Sequence, residues 1–341
     1  MIIETWSHTL GMAETLAVEA RRLGIHPFLI HMTDRAFYEG RSTTRPWNAT
    51  TAGRVELAAL RSADAYIQIP ESPEGFLRRA ALPETLQRAN SRREADWYRA
   101  LTRGKIPSVL LLSATATRSS ARHYGVDYAR WKEESLRASS IPASVLQRRA
   151  RPVVDRLAKG RQITLRHPNG TRLELGLKGR SPVVESGRVD PKDLAQGHIG
   201  TTFPGGVVFV ALDEGVAEGV FLANRPSRHR QGEILGLRWS FRNGRLATHG
   251  AESGRKIFEG PFGKAGRERD RPALLAIGLN PEIRDFPLAE DQEAGVVTLY
   301  IGHNDDFGGR SRGKYREYAL LRGADLLVDD KPILRAGRIA R

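Results

Sequence analysis

The chain has 341 residues, of which 40% are hydrophobic and 27% are charged, so it has the composition of a globular protein long enough for two domains. It contains no cysteine, which excludes disulfides, thiolate nucleophiles and thiolate metal sites. Its formal net charge is +15, but the arginines are scattered among acids and no nucleic-acid-binding motif accompanies them, so nucleic acid is not expected as a partner.

Targeting signals are not expected in this sequence. No stretch approaches the ~20 apolar residues that a membrane helix needs, and the opening residues MIIETWSHTL lack the basic and apolar regions of a signal peptide. We therefore expect a cytoplasmic protein without a membrane partner.

The first half of the chain alternates strand-like and helical segments. Such alternation predicts an α/β N-terminal domain with a mostly parallel sheet, which we place at residues 1–155. The run PSVLLLS is apolar almost throughout, as is typical of a strand covered on both faces. No G-x-G-x-x-G loop follows any strand, so no nucleotide cofactor is expected. The predicted strands are 1–6, 26–32, 65–69 and 107–113, and the predicted helices are 12–23, 51–63 and 83–104.

The second half has a different pattern, with short strand-like runs separated by turn residues. Asn169-Gly170 lies between two alternating strands and predicts a hairpin. One short helix is predicted around 262–270. These features predict a β-rich α+β C-terminal domain, mostly antiparallel, at residues 156–341.

Five blocks of the second half resemble the thermophilic aminopeptidase T family of metallopeptidases. They occur in the family's order as LAKGRQITLRHPNGTRLELGLKGR, FPGGVVFVALDEGVAEG, AIGLNPEIRDFP, EAGVVTLYIG and LLVDDKPILRAGRI. The resemblance implies two domains with a cleft between them, a homodimer and a pair of divalent metal ions. Relatives of this fold include a mononuclear-iron dioxygenase acting on dihydroxypyridines, so the metal and the substrate differ among them.

The metal ligands implied by the resemblance are missing from this sequence. The family's metal-binding glutamates correspond here to Val207 and Leu274, and a family histidine corresponds to Thr298. Its tyrosine ligand falls near Asp305. The closing His-x-Asp pair should lie in RGKYREYALL, which holds Tyr315, Glu317 and Tyr318 but no histidine. The sequence therefore predicts that the two-metal centre is lost or rebuilt.

The stretch GHNDDFGG after the strand VVTLYI is the candidate for a rebuilt centre. His303 beside Asp305 and Asp306 has the residue types of an acid–base or single-metal site, and we add Tyr315 as a further catalytic candidate. A neighbouring carboxylate is expected to favour protonated His303 and raise its pKa. The alternatives are a solvated turn, since Asn, Asp and Gly favour turns, or a histidine bonded to backbone.

Four further residues are candidates for substrate binding. They are His198 before FPGG, Glu290 and Asp291 in the acidic run before the strand VVTLYI, and Tyr318. Each also has an ordinary structural interpretation as a hydrogen-bonded histidine, a solvated loop or the edge of a core. Asp213 and Glu214 form an acidic turn to which we assign a structural role.

Three functional hypotheses remain open. The first is an enzyme with a lost or rebuilt metal centre, acting on an amide or peptide bond or on a small ring metabolite in the interdomain cleft. The second is a non-catalytic protein that binds a peptide or small metabolite. The third is a metal-dependent aminopeptidase whose ligands lie elsewhere in the sequence. No cofactor or a single divalent metal is expected.

Overall fold

The computed structural model describes residues 1–39, 53–71, 83–229 and 231–340. The chain divides into two compact units. The first consists of Met1–Glu133 and Gly187–Pro204, and the second of Glu134–Ser186 and Gly205–Arg341. The boundary near residue 155 stays a prediction, because compactness does not show which part folds alone. Residues 51 and 52 of the predicted helix 51–63 lie outside the described residues.

The first unit contains a five-stranded sheet whose neighbouring strands are all parallel, in the order β2-β1-β3-β4-β8. This confirms the parallel α/β fold predicted for the N-terminal part. The strands are β1 (Ile2–Trp6), β2 (Phe28–Met32), β3 (Tyr66–Gln68), β4 (Ser108–Leu111) and β8 (Gly200–Phe203). The helices are Leu10–Arg22, Arg54–Arg61, Glu84–Gly104, Arg118–Tyr124 and Pro191–Ala195, and Tyr128–Ser140 continues from the first unit into the second.

Apolar side chains of these strands are buried on both faces of the sheet. Adjacent residues Ile2 and Ile3 are both buried but belong to different clusters, because successive side chains of a strand point to opposite faces. Ile2 packs with Leu60 and Leu101, whereas Ile3 packs with Ala13. A parallel sheet covered on both sides explains why its strands are apolar without alternation.

The second unit contains two larger antiparallel sheets and a two-stranded ribbon. The eight-stranded sheet has the order β14-β13-β10-β6-β5-β18-β19-β20, and the five-stranded sheet has the order β17-β16-β15-β9-β7. This confirms the predicted β-rich C-terminal part. The strands are β5 (Gln162–Arg166), β6 (Arg172–Gly176), β7 (Val183–Glu185), β9 (Val207–Ala211), β10 (Ala217–Leu222), β11 (Ser227–His229), β12 (Gly232–Ile234), β13 (Arg238–Arg242), β14 (Arg245–Gly250), β15 (Pro272–Gly278), β16 (Val296–Gly302), β17 (Arg316–Arg322), β18 (Asp325–Val328), β19 (Lys331–Arg335) and β20 (Arg338–Ile339).

The main core of the second unit includes residues from both sheets. Val208 and Val210 of β9 belong to it with Leu165 of β5 and Trp239 of β13. The intervening Val207, Phe209 and Ala211 of β9 belong to a separate apolar cluster, which also contains Leu274 and Ala276 of β15. The five-stranded sheet is thus apolar on both faces near β9 and β15. Burying each Val, Leu or Ile of these faces contributes about 1.5–3 kcal/mol.

The helix Ala143–Lys159 adds to this core through one face. Leu146, Ala150, Val153 and Leu157 are all at most 1% exposed, and their spacing of three or four residues places them on one side of a helix.

The short helix predicted at 262–270 is displaced in the structure. An α-helix spans Arg255–Lys264, and a separate 3-10 turn spans Arg267–Asp270. Pro261, which suits a first helical turn, stands inside this helix, so it does not mark the start. Among the described residues, no helix has both the length and the apolar character needed to cross a membrane.

Candidate functional site

The predicted catalytic loop joins β16 to the neighbouring strand β17. The His303 backbone N–H donates to Tyr315 O at 3.0 Å, and a 3-10 turn at Asp305–Phe307 follows. This turn brings Nδ1 of His303 to 3.5 Å from Oδ1 of Asp305 and 3.9 Å from Oδ1 of Asp306. The structure therefore places these three predicted residues together, with donor atoms within 4.8 Å of one another.

Asn304 anchors the loop from its buried side. Its side-chain Nδ2 donates to Oε1 of Glu214 at 3.0 Å and to Ala273 O at 3.1 Å. Its side-chain Oδ1 accepts from Ser311 N at 2.9 Å. These bonds use both ends of the Asn304 amide in a fully buried position. His303 and the two aspartates are consequently held on a fixed loop.

Glu214 supports this anchor with its carboxylate. It accepts from Arg180 at 2.7 Å and from Arg310 N at 2.7 Å in addition to Asn304. Partial burial by itself raises the pKa of Glu214, but the hydrogen bonds outweigh it and lower the pKa to about 2.

Arg316 is the residue of this group that sequence reasoning did not identify. Its Nε donates to His303 O at 2.9 Å, its Nη2 lies 3.3 Å from His303 Nδ1, and it forms an ion pair with Asp306. Its guanidinium also lies 5.5 Å from the centre of the Phe307 ring. The feature of the sequence that could have identified Arg316 is its position at the start of β17, the strand that follows the loop.

The pKa of His303 is lowered, so the expected net rise is wrong, although the two carboxylates act in the expected direction. Partial burial disfavours the charged imidazolium, and the positive charge of Arg316 acts in the same direction. Asp306 and Asp305 oppose both effects without reversing them.

Tyr315 belongs to a different group of side chains. Its ring packs against the main core and lies 5.9 Å from the ring of Phe262 in an edge-to-face contact. Burial raises the pKa of Tyr315, and its hydroxyl has no hydrogen-bond partner among the described residues. The Tyr315 backbone carbonyl accepts from His303 N, and nothing tests the predicted catalytic role of the phenol, which stays a prediction.

Three of the predicted substrate-binding residues meet in a second network. Oε1 of Glu290 lies 3.4 Å from Nη1 of Arg228, and Tyr318 donates its hydroxyl to Arg228 O at 2.5 Å. Asp291 accepts from the hydroxyl of Tyr300 at 2.9 Å. Sequence reasoning missed Arg228 and Tyr300. Tyr300 was detectable, because it stands two positions after Thr298 and therefore on the same side of β16.

The two acids of this network titrate at unusually high pH. Burial raises the pKa of Glu290 to about 7, although its interactions with Arg228 act against the rise. Burial likewise raises the pKa of Asp291 to about 6, against the hydrogen bond from Tyr300. Carboxyl groups that gain and lose protons near neutral pH are frequent in functional sites.

The loop and the second network are connected along one face of the five-stranded sheet. In the register of β16 and β17, Tyr300 faces Tyr318 and Gly302 faces Arg316, so Arg316, Tyr318 and Tyr300 share a face. The two tyrosine rings are 6.0 Å apart. We call Arg316, Tyr318, Tyr300, His303 and Asp291 the polar face of this sheet.

The positions implied as metal ligands lie on the same side of the sheet as Tyr300, since Leu274 faces Tyr300 across the ladder and Thr298 stands two residues before it. Val207 and Leu274 are each 1% exposed and belong to the apolar cluster with Phe209. Thr298 is fully buried, and its hydroxyl has no hydrogen-bond partner in the described parts of the chain.

His198 lies in the first unit. It follows the helix Pro191–Ala195, and its backbone N–H donates to Asp193 O at 2.9 Å. Its predicted part in substrate binding stays a prediction.

One group of side chains has the composition of a metal site. His303, Asp305 and Asp306 offer one nitrogen and two carboxylates, which suit a single divalent cation. The guanidinium of Arg316 already lies against two of these donors, so a cation would bind here only if Arg316 moved away.

Two solved structures share the fold of the whole chain. Wild-type AmpT, the aminopeptidase T of Thermus thermophilus, aligns with a TM-score of 0.70 and 18% identity over 100% of this chain and 94% of its own. The 2,5-dihydroxypyridine dioxygenase of Pseudomonas putida KT2440 aligns with a TM-score of 0.64 and 14% identity over 99% of this chain and 91% of its own. No family model matches the sequence, and no curated protein matches it. The chain thus has an aminopeptidase-T-like fold.

Proposed function

We propose that this chain is an enzyme that uses an aminopeptidase-T-like scaffold and an acid–base centre at His303. The observation that carries the proposal is the arrangement of the imidazole. Its Nδ1 faces Asp305 and Asp306, whereas its Nε2 makes no hydrogen bond among the described residues and is available to a substrate or water.

The residues of the loop have distinct roles in this proposal. In the tautomer that carries its proton on Nδ1, directed to Asp305, neutral His303 accepts a proton from water at Nε2 while the water oxygen attacks a carbonyl carbon. Asp305 stabilises the imidazolium that forms, in the way a carboxylate orients a catalytic histidine. The imidazolium then returns the proton to the leaving nitrogen as the carbon–nitrogen bond breaks. Arg316 positions His303 and Asp306.

The substrate class follows from this chemistry and from the proteins that share the fold. A proton-transferring histidine suits an amide or peptide bond or the opening of a small ring. The names of the two structural neighbours include an aminopeptidase and an enzyme of a small aromatic ring. We propose an amide, a peptide or a small ring metabolite as the substrate.

The two-metal centre implied by the resemblance does not fit the residues present. Val207 and Leu274 have no donor atoms, and two adjacent cations need several carboxylates to bridge and neutralise them. We propose that this centre is lost, and no step of the proposed reaction passes through it.

The proposal is tested with His303→Ala and Asp305→Asn variants, screened against peptides, cyclic amides and hydroxylated pyridines by mass spectrometry. Loss of a general base lowers turnover by about 100-fold or more. The melting temperature stays almost unchanged, because polar loop substitutions cost little stability. His26→Ala, which alters an exposed histidine of the first unit, is the matched control and keeps full activity.

The pH profile gives a second measurement. Because the pKa of His303 is lowered, activity should persist below the pH at which an ordinary histidine becomes protonated. Turnover in both variants at the wild-type rate contradicts the proposal. A wild-type protein that binds members of the panel without turning them over supports the non-catalytic alternative instead.

We also propose that the protein is a homodimer, on the strength of the family resemblance. Light scattering at micromolar concentration should give twice the 37.8 kDa mass of the chain. A mass equal to one chain contradicts it.

A further inference from the structure

A pocket of about 460 Å³ lies in the second unit, and none of its lining residues belongs to the polar face. It is formed at the start of β14 and by the segment that follows the helix Arg255–Lys264. Its volume falls within the range of about 300–1,000 Å³ that is usual for small-molecule sites. The lining residues are Arg245, Ala265, Gly266, Arg267, Arg269 and Asp270.

The charge of the lining is positive and only partly compensated. The one lining carboxylate, Asp270, accepts from Nη1 of Arg245 at 3.0 and 2.9 Å through its two oxygens. This pair leaves the charges of Arg267 and Arg269 without a partner carboxylate in the lining. The nearby Glu268 is directed to Ser311 Oγ at 3.5 Å and Arg271 Nε at 3.7 Å.

Arg269 is held in one orientation before any ligand binds. Its Nη1 donates to Ala265 O at 3.1 Å and to Gly263 O at 3.3 Å, and its guanidinium lies 4.9 Å from the centre of the Phe262 ring. A guanidinium fixed in this way loses little side-chain freedom when a ligand arrives, which favours binding.

Arg267 is available to a ligand. It is exposed and makes no hydrogen bond or ion pair with the part of the chain that the structure describes. One fixed and one free guanidinium at the same pocket offer several N–H donors with two positive charges. Phosphate oxygens match such donors in geometry and charge.

We propose that this pocket binds a small phosphate-bearing metabolite, at a site separate from the His303 centre. An extended nucleic acid fits less well, because the basic lining is compact and includes the Arg245–Asp270 pair rather than a continuous basic groove. The two arginines contact the phosphate group, and the open side of the pocket admits the rest of the ligand.

The test measures binding of inorganic phosphate to the full chain by titration calorimetry at low salt. Arg267→Gln is the main variant, because the exposed Arg267 side chain has no hydrogen bond or ion pair among the described residues that folding would lose. Losing one charge-assisted contact should weaken binding about tenfold, and Arg269→Gln should weaken it at least as much. Arg335→Gln, an exposed arginine of β19 outside the pocket, is the matched control and should bind as the wild type does.

The outcomes separate this site from the proposed enzyme centre. His303→Ala should bind phosphate normally, so failure of the proposed function leaves this result unchanged. Equal affinity of the Arg267→Gln and Arg335→Gln variants overturns the proposal. It is also overturned if wild type shows no saturable phosphate binding, or if a single-stranded oligonucleotide binds more tightly and loses affinity equally in both variants.

Discussion

Glu214 shows at the scale of one residue how a side chain outside the candidate site fixes its geometry. The sequence assigned a structural role to the acidic turn that contains it, and the contacts with Arg180, Arg310 N and Asn304 agree with that role. The sequence did not reveal that Glu214 holds the His303 loop, because Asn304 of that loop lies about 90 residues further along the chain.

Replacing Glu214 by Gln should destabilise the protein at pH 7 by about 2 kcal/mol, since the charged acceptor of several hydrogen bonds is lost. The folded-state pKa of about 2 lies below the ordinary 4.5, so this stabilisation is present above 4.5 and disappears as the pH falls towards 2. Urea unfolding at pH 7, 4.5 and 3 should therefore show the wild type and the variant converging. Glu174→Gln, at an exposed position whose carboxylate accepts from Gln162, is the control with little effect. A pH-independent difference contradicts the assigned role.

Glu290 and Asp291 illustrate the limit of residue-level prediction. Acidic residues next to one another usually form a solvated loop, and sequence alone gives no reason to bury them. Glu290 is buried here because Arg228, 62 residues earlier in the chain, provides the opposite charge. Such pairs depend on tertiary packing, and a buried carboxylate without its partner costs far more than one in water.

At the scale of elements, the sequence predicted the local hairpin but not the pairing of strands that are distant in the chain. The Asn169-Gly170 turn joins β5 and β6 with Arg166 facing Arg172, as the hairpin pattern predicts. The other neighbour of β5 is β18, which lies about 160 residues later, and nothing in either strand specifies that pairing. Antiparallel strands with a similar alternation of apolar and polar residues could pair in several orders, and the assembly of the whole sheet selects one of them.

The His303 loop provides a test at this scale. A methyl group on Gly309 would lie 1.9 Å from Oδ1 of Asn304, the buried amide that anchors the loop. Gly309→Ala should therefore displace Asn304, lower the free energy of unfolding by about 1–3 kcal/mol and reduce any activity that depends on His303. Gly313→Ala is the matched control, because its nearest atom is His303 Cβ at 3.9 Å and no rearrangement is needed. Equal stability of the two variants would show that Asn304 does not anchor the loop.

At the scale of the whole molecule, the fold persists at low sequence identity. The chain matches AmpT over its full length with only 18% identity, because a sheet requires apolar alternation rather than particular side chains. This explains why the order of sequence blocks was enough to predict the fold. The chemistry could not be predicted in the same way, since a site depends on a few residues whose identity the fold leaves free.

The final prediction concerns metal content and follows from those few residues. Val207 and Leu274, at positions that the resemblance implies as ligands, are buried and have no donor atoms, and Thr298 contributes only a hydroxyl. We expect at most one divalent ion per chain after incubation with zinc, cobalt or manganese and gel filtration, measured by mass spectrometry of the metals. We also expect negligible turnover of amino-acid anilides with or without these ions.

If one ion binds, His303→Ala should remove it, because His303, Asp305 and Asp306 are the only such donor group found in the described residues. Two ions per chain with metal-dependent peptidase activity would show instead that a two-metal centre is present on residues that the resemblance did not identify.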